Sequence, residues 1–167
     1  MSCLGVHFAL TAAEVAQLRS FASDAERLAY VHSDIEEKYF NTFPDFKAES
    51  DKSWDAMHRL LSDGQLSFYD GPEPLRWTVI GGEPLYAADD YLLSLKTPAQ
   101  VQTLAAALPQ IGKAEFRARY DAMDADSYGF PKSDDDFNYT WEWFTGVVTL
   151  YQRAAAENRC VLFAADQ

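Results

Sequence analysis

From Ser133 onward, apolar side chains recur in a helical rhythm. Phe137, Trp141, Phe144, Val148 and Tyr151 are spaced by four, three, four and three residues, which predicts one apolar stripe along a long helix. Ser133 is placed to cap it. Asp134, Asp135 and Asp136 fill the first turn, where the positive end of the helix dipole favours anions. The apolar run at 159–165 predicts a short terminal strand directly after the helix. So much aromatic surface on one helix needs cover from other elements.

The rest of the chain supplies that cover in short pieces. Residues 3–10 alternate Leu4, Val6, Phe8 and Leu10 with smaller or polar neighbours, the pattern of a strand. Thr11 with Glu14, and Ser23 with Glu26, are capping boxes that open two helices. In the second, Leu28, Val31, Ile35 and Tyr39 share a face, with His32 beside it. Residues 41–50, containing Pro44, read as a loop. Residues 51–61 read as a helix ended by Asp63-Gly64, with Trp54, Met57 and Leu61 inward and His58 at the edge of the core. Residues 75–80 fit either a short helix or a strand before Gly81-Gly82. Residues 91–95 predict a strand, and Thr97-Pro98-Ala99-Gln100 a helix start. Val101, Leu104 and Leu108 stripe that helix, and Phe116, Tyr120 and Met123 stripe the next. These elements predict an α+β fold with one domain over 1–167: a small mixed sheet, several helices packed largely on one face, and the long C-terminal helix followed by a strand. The terminal strands are expected to be neighbours, since loose ends would expose Leu4, Phe8, Val161 and Phe163.

Composition narrows the partners. With 167 residues, 48% of them hydrophobic and 14% aromatic, the chain can build a core and is not disordered. A net charge of −12 and a pI near 4.5 disfavour nucleic acid and anionic membrane, and suit solubility or a basic protein partner. The first ten residues carry no Lys or Arg, and no apolar run reaches the roughly 18 residues of a membrane span. A soluble, cytoplasmic protein is expected. Cys3 and Cys160 form no CxxC pair, which argues against zinc and redox motifs.

Candidate chemistry centres on Asp51, Lys52, Asp55 and His58 around Trp54. A His beside a carboxylate acts as a general base when exposed in a cleft, and as a hydrogen-bonded core-edge residue when it is not. No nucleophile elbow, phosphate loop or His-Glu-x-x-His accompanies it, so no catalytic residue is assigned. His7, His32 and His58 lie on different elements, and the run of Asp134 to Asp136 lacks the ligand alternation of a calcium loop, so no metal or cofactor is expected. Gly81-Gly82 suits a turn or a close approach to a ligand. Tyr86 and Tyr128 fall in expected loops, where recognition residues concentrate. The expected ligand-contacting set is therefore Asp55, His58, Glu83, Tyr86 and Tyr128.

Several blocks together carry a resemblance. They are Cys3-Leu4-Gly5-Val6-His7-Phe8-Ala9-Leu10-Thr11, the stretch from Asp51 through Lys52, Trp54, Met57, His58 and Leu61 to Gly64, Ile80-Gly81-Gly82-Glu83, Tyr91-Leu92 with Thr97-Pro98-Ala99-Gln100-Val101, and Tyr151-Gln152-Arg153-Ala154-Ala155 before the last strand. In this order, over nearly the whole chain, they resemble the YfbM-like family of small bacterial proteins (domain of unknown function 1877). Met57 stands where the family usually has Leu, and Tyr128-Gly129-Phe130-Pro131 where an Ile-Tyr-Pro-like run is expected. The resemblance implies a single α+β domain and supplies no activity, cofactor or catalytic residue.

Two functional readings follow. One is a non-enzymatic binding protein that presents an acidic face to a basic protein partner, as toxin-neutralising immunity proteins do. The other is a small-molecule-binding protein or unrecognised enzyme with a cleft near Asp55, His58 and Glu83, in which His58 would be exposed.

Overall fold

The helices begin where the chain provides a side-chain acceptor for their first free N–H groups. In the computed structural model, which describes residues 4–166, Thr11, Ser23 and Thr97 close full capping boxes with Glu14, Glu26 and Gln100. They start α1 (Ala12–Ser20), α2 (Asp24–Tyr30) and α5 (Pro98–Ala107). α2 runs through a π-helical segment, Val31–Glu36, into α3 (Glu37–Asn41). The remaining helices are α4 (Trp54–Leu61), α6 (Lys113–Ala122), the single turn α7 (Ala125–Tyr128) and the long α8 (Asp134–Ala156), capped by Ser133. The buried line of α8 runs through Phe137, Thr140, Phe144, Val147, Tyr151 and Ala154. Trp141 and Val148 stand at its margin.

Among the described residues, five strands form one sheet in the order β2-β1-β5-β4-β3. They are β1 (Gly5–Leu10), β2 (Lys47–Asp51), β3 (Glu83–Ala87), β4 (Tyr91–Lys96) and β5 (Cys160–Asp166). The terminal strands are neighbours as expected, with Leu10 opposite Cys160. Cys3, and with it the start of the expected first strand, lies outside the described residues. The sheet is antiparallel in every pairing rather than mixed. Each long helical excursion leaves and re-enters at the same end of the sheet, so Lys96 faces Val161 and Phe8 faces Lys47.

Helices cover both faces of the sheet, not mainly one. Phe8, Leu10, Leu93, Leu95 and Leu162 pack toward Leu18, Val31, Ile35 and Tyr39 on the α1–α3 side. Ala9, Leu92, Val161 and Phe163 pack toward α4, α5, α6 and α8. The uninterrupted apolar run of β5 requires this: a central strand buried on both faces has no polar alternation to offer water. Two edge strands replace expected loops: β2 within 41–51, and β3, which carries Tyr86.

The ambiguous stretch 75–80 is a 3₁₀ turn, Leu75–Trp77, followed by a further turn that pushes backbone carbonyls into the core. Buried polar side chains answer them. The Thr78 carbonyl accepts from Tyr151 Oη at 2.7 Å and from His7 Nε2 at 3.1 Å. The Val79 carbonyl accepts from Ser94 Oγ at 3.2 Å and from Lys96 Nζ. Lys96 is wholly buried, and burial drives its ammonium well below the usual lysine range. Its task is hydrogen-bond satisfaction inside a closed core.

Gly81 closes this turn against backbone rather than a ligand. A Cβ there would collide with the Arg76 carbonyl, which cannot swing aside as a side chain can. Gly81→Ala is expected to cost about 1–3 kcal/mol. Gly146→Ala, in α8 with nothing within 4 Å of the new methyl, is expected to stabilise by up to about 1 kcal/mol. Urea titration of both variants checks the pair, and an unaffected Gly81→Ala protein would show the turn to be loose.

Candidate functional site

A groove of about 430 Å³ opens where the start of α4 meets the α7 turn and the first turns of α8. It forms because three local devices converge. The Asp51 backbone turns at a φ of 44°, launching α4 so that Trp54 packs into the core and Asp55 faces the groove. Asp124 caps α7, and Gly129 ends it in the left-handed conformation, which leaves Phe130 on the rim with 58% of its surface exposed. Ser133 caps α8 through the Asp136 N–H at 3.1 Å.

Asp136 then has a second use. Its carboxylate accepts from Tyr120 Oη at 2.7 Å and from Tyr128 Oη at 3.2 Å, tying α6, α7 and α8 together. Burial first, and Asp136 second, by its hydrogen bond at Tyr120 and by its charge at Tyr128, push the Tyr120 hydroxyl up to about 12 and the Tyr128 hydroxyl higher still. On the far wall, Tyr139 Oη donates to Asp51 at 2.6 Å. Asp55 receives Arg59 Nε at 2.5 Å, and Arg59 also reaches the Gly64 carbonyl at 3.2 Å. Burial raises the Asp55 carboxyl, and Arg59 opposes that without cancelling it. The groove thus offers aromatic walls, fixed carboxylates and the Lys52 ammonium.

Of the five residues singled out from the sequence, Asp55 and Tyr128 meet here. His58 does not. It is wholly buried, and its Nε2 lies 2.8 Å from the Ser67 carbonyl, because the loop after α4 folds over it. A carbonyl only accepts, so Nε2 carries the proton and Nδ1 the lone pair. Glu83 and Tyr86 lie on β3, across the full width of the sheet from β2 and the start of α4. There Glu83 holds Arg19 in a two-pronged pair at 2.6 and 2.8 Å, and Tyr86 packs on the α1–α3 side of the core. Tyr128 sits in a helical turn and Tyr86 in a strand, so neither is a loop residue.

The sequence reading missed Phe130, Asp136 and Tyr139. Asp136 carried no separate signal, since helix-dipole complementation accounts equally for all three acids of the first turn. Among the described residues no group of three His, Cys, Asp or Glu is placed to hold a metal ion, and no helix is long and apolar enough to cross a membrane.

A family model described as a domain of unknown function (DUF1877) matches residues 1–164. Among solved structures, YfbM from Escherichia coli, a protein of unknown function, is similar with a TM-score of 0.68 at 18% identity, over 97% of this chain and 99% of that one. No curated protein matches. At that identity the likeness establishes the shared fold.

Proposed function

We propose, for a chain that belongs to the DUF1877 family and takes a fold but no assigned activity from it, that this is a non-enzymatic binding protein whose acidic corner docks a basic protein partner, in the manner of an immunity protein. One observation carries the reading. Residues 121–142 hold seven acids against the single base Lys132, half of the chain's net charge of −12; Asp136 lines the groove together with Asp55, while Asp121 and Asp134 pair with Arg117 beside it. Fixed carboxylates speed the approach of a basic surface, and the exposed Phe130 supplies an apolar anchor of the kind interfaces concentrate at their centre. The burial of His58 removes the general base on which an enzymatic use of this corner depended.

Affinity capture from the source cells, followed by reconstitution with the captured protein, tests the proposal. A basic partner is expected, with affinity that falls as salt rises. Phe130→Ser combined with Asp135→Asn, both exposed positions, is expected to weaken binding about tenfold or more. An acidic partner, or binding indifferent to both salt and the double variant, would overturn it.

A further inference from the structure

A second groove, of about 490 Å³, lies on the opposite layer from the Asp55 corner. It runs between the α2–α3 helix and the sheet ends that carry Val6 and Tyr91. Along the helix, Leu28, His32, Glu36 and Phe40 line it at steps of four. In a plain α-helix such a row drifts by about 40° per step and leaves the groove. The wider turns of the π segment Val31–Glu36 reverse that drift and keep the row on one side.

Glu36 is held from two directions. Tyr91 Oη donates to its Oε1 at 3.2 Å, and His32 Nδ1 lies 3.3 Å from its Oε2. The His32 and Tyr91 rings meet edge to face at 4.9 Å. Asp90 and Asp166 add further carboxylates, while Leu28, Val6 and the exposed ring of Phe40 add apolar wall. Among the described residues, no Lys or Arg lines the groove. The Lys47 ammonium lies over the Phe40 ring, 4.2 Å from its centroid, but is engaged by Glu49, so an anionic ligand would meet the carboxylates of the lining without a cation of the lining to offset them. A hydrated metal ion would find no set of converging ligands among the described residues.

We propose that this groove binds an alkylammonium group, with its charge at Glu36 and Asp90 and its carbon chain along Leu28 and Phe40. An oriented carboxylate beside apolar wall is the complement of a short carbon chain ending in an ammonium. The group can come from a free small amine or from a lysine side chain of another protein. The carboxylate geometry is the same for both.

The test is a titration of the isotopically labelled protein with n-butylammonium chloride, followed by two-dimensional NMR at the His32 ring, Tyr91 and Leu28. Sodium butyrate and sodium chloride at equal ionic strength serve as controls. A saturable shift of these resonances with butylammonium alone is expected. Glu36→Gln should weaken it about tenfold or more, while Glu37→Gln, one residue away and outside the groove lining, should leave it unchanged. A Gly-Lys-Gly peptide that produces the same shifts assigns the site to lysine side chains; a peptide that fails where butylammonium binds assigns it to free amines. No saturable shift with either probe, equal shifts with butyrate, or binding that survives Glu36→Gln with Asp90→Asn would overturn the proposal. None of these outcomes bears on the Asp55 corner.

Discussion

Between about pH 6.5 and pH 4 the protein is expected to lose most of its stability, because two core histidines must stay neutral for it to fold. Burial lowers His7 to about 3 and His58 to about 4 from the ordinary 6.5. Lys96 pushes both in the same direction, and Arg59 adds to it at His58. Each ring donates through Nε2 to a carbonyl, and neither Nδ1 has a partner of hydrogen-bond geometry, the Ala48 backbone beside His7 included. A proton added to Nδ1 of His58 would be a buried donor without an acceptor of hydrogen-bond geometry, and at His7 the Ala48 backbone only partly offsets the cost of burial.

The sign follows from linkage. In this range the unfolded chain binds more protons at these rings than the folded one, so stability falls as pH falls. At about pH 4 each ring has cost the fold roughly 3 kcal/mol, and the two together approach the whole stability of an ordinary domain. Glu14, whose carboxyl is lowered by Lys38 and Tyr39 against the opposing effect of burial, adds to the loss only below about 4.5. The raised Asp55 carboxyl works weakly the other way. Urea midpoints across the range measure the slope. His58→Gln keeps a donor for the Ser67 carbonyl and cannot ionise, so it is expected to halve the slope at a cost of about 1 kcal/mol near neutrality. A wild-type midpoint unchanged from about pH 7 to about pH 4.5 would show that these rings are not held neutral in the core.

Cap chemistry was the most legible part of the chain, because Thr11, Ser23, Thr97 and Ser133 act on residues only three positions away. The central strands were legible because their apolar runs admit little else. β2 and β3 were not: Lys47-Ala48-Glu49-Ser50-Asp51 and the Pro84-bearing β3 are edge strands, and polar residues and proline there resemble loop. Lys96 lies just past the expected strand 91–95, and its register opposite Val161 places it inside. His58 one turn after Trp54 has the same local pattern whether or not a loop covers it. Asp55 and Tyr128 meet only through the packing of α4, α7 and α8, so nothing in their spacing announced the groove. The π segment left no mark either, and without it His32 looked like a bystander to the Leu28–Tyr39 stripe.

Ending the chain at Asn158 is expected to abolish cooperative folding outright. β5 is the middle strand, paired along its length to β1 on one side and β4 on the other. Both neighbours run antiparallel to it and are therefore parallel to each other. They could replace it only by closing a gap of about 9.6 Å, two strand spacings, and adopting the parallel hydrogen-bond pattern. The helices seated on both faces would have to shift by a whole strand with them. Val161, Leu162 and Phe163 are wholly buried, and losing them forfeits about 5–9 kcal/mol of apolar burial before any backbone hydrogen bond is counted. The truncated chain is expected to show no sigmoidal thermal transition by circular dichroism and to bind hydrophobic dye. Phe163→Ala, which leaves the backbone pairing intact, is expected to fold but to lose about 3–5 kcal/mol, since its ring fills the space between His7, Trp54 and Lys96. A truncated protein that melted as sharply as the full chain would mean that β1 and β4 do not depend on the strand between them, and the shared two-layer core would have to be redrawn.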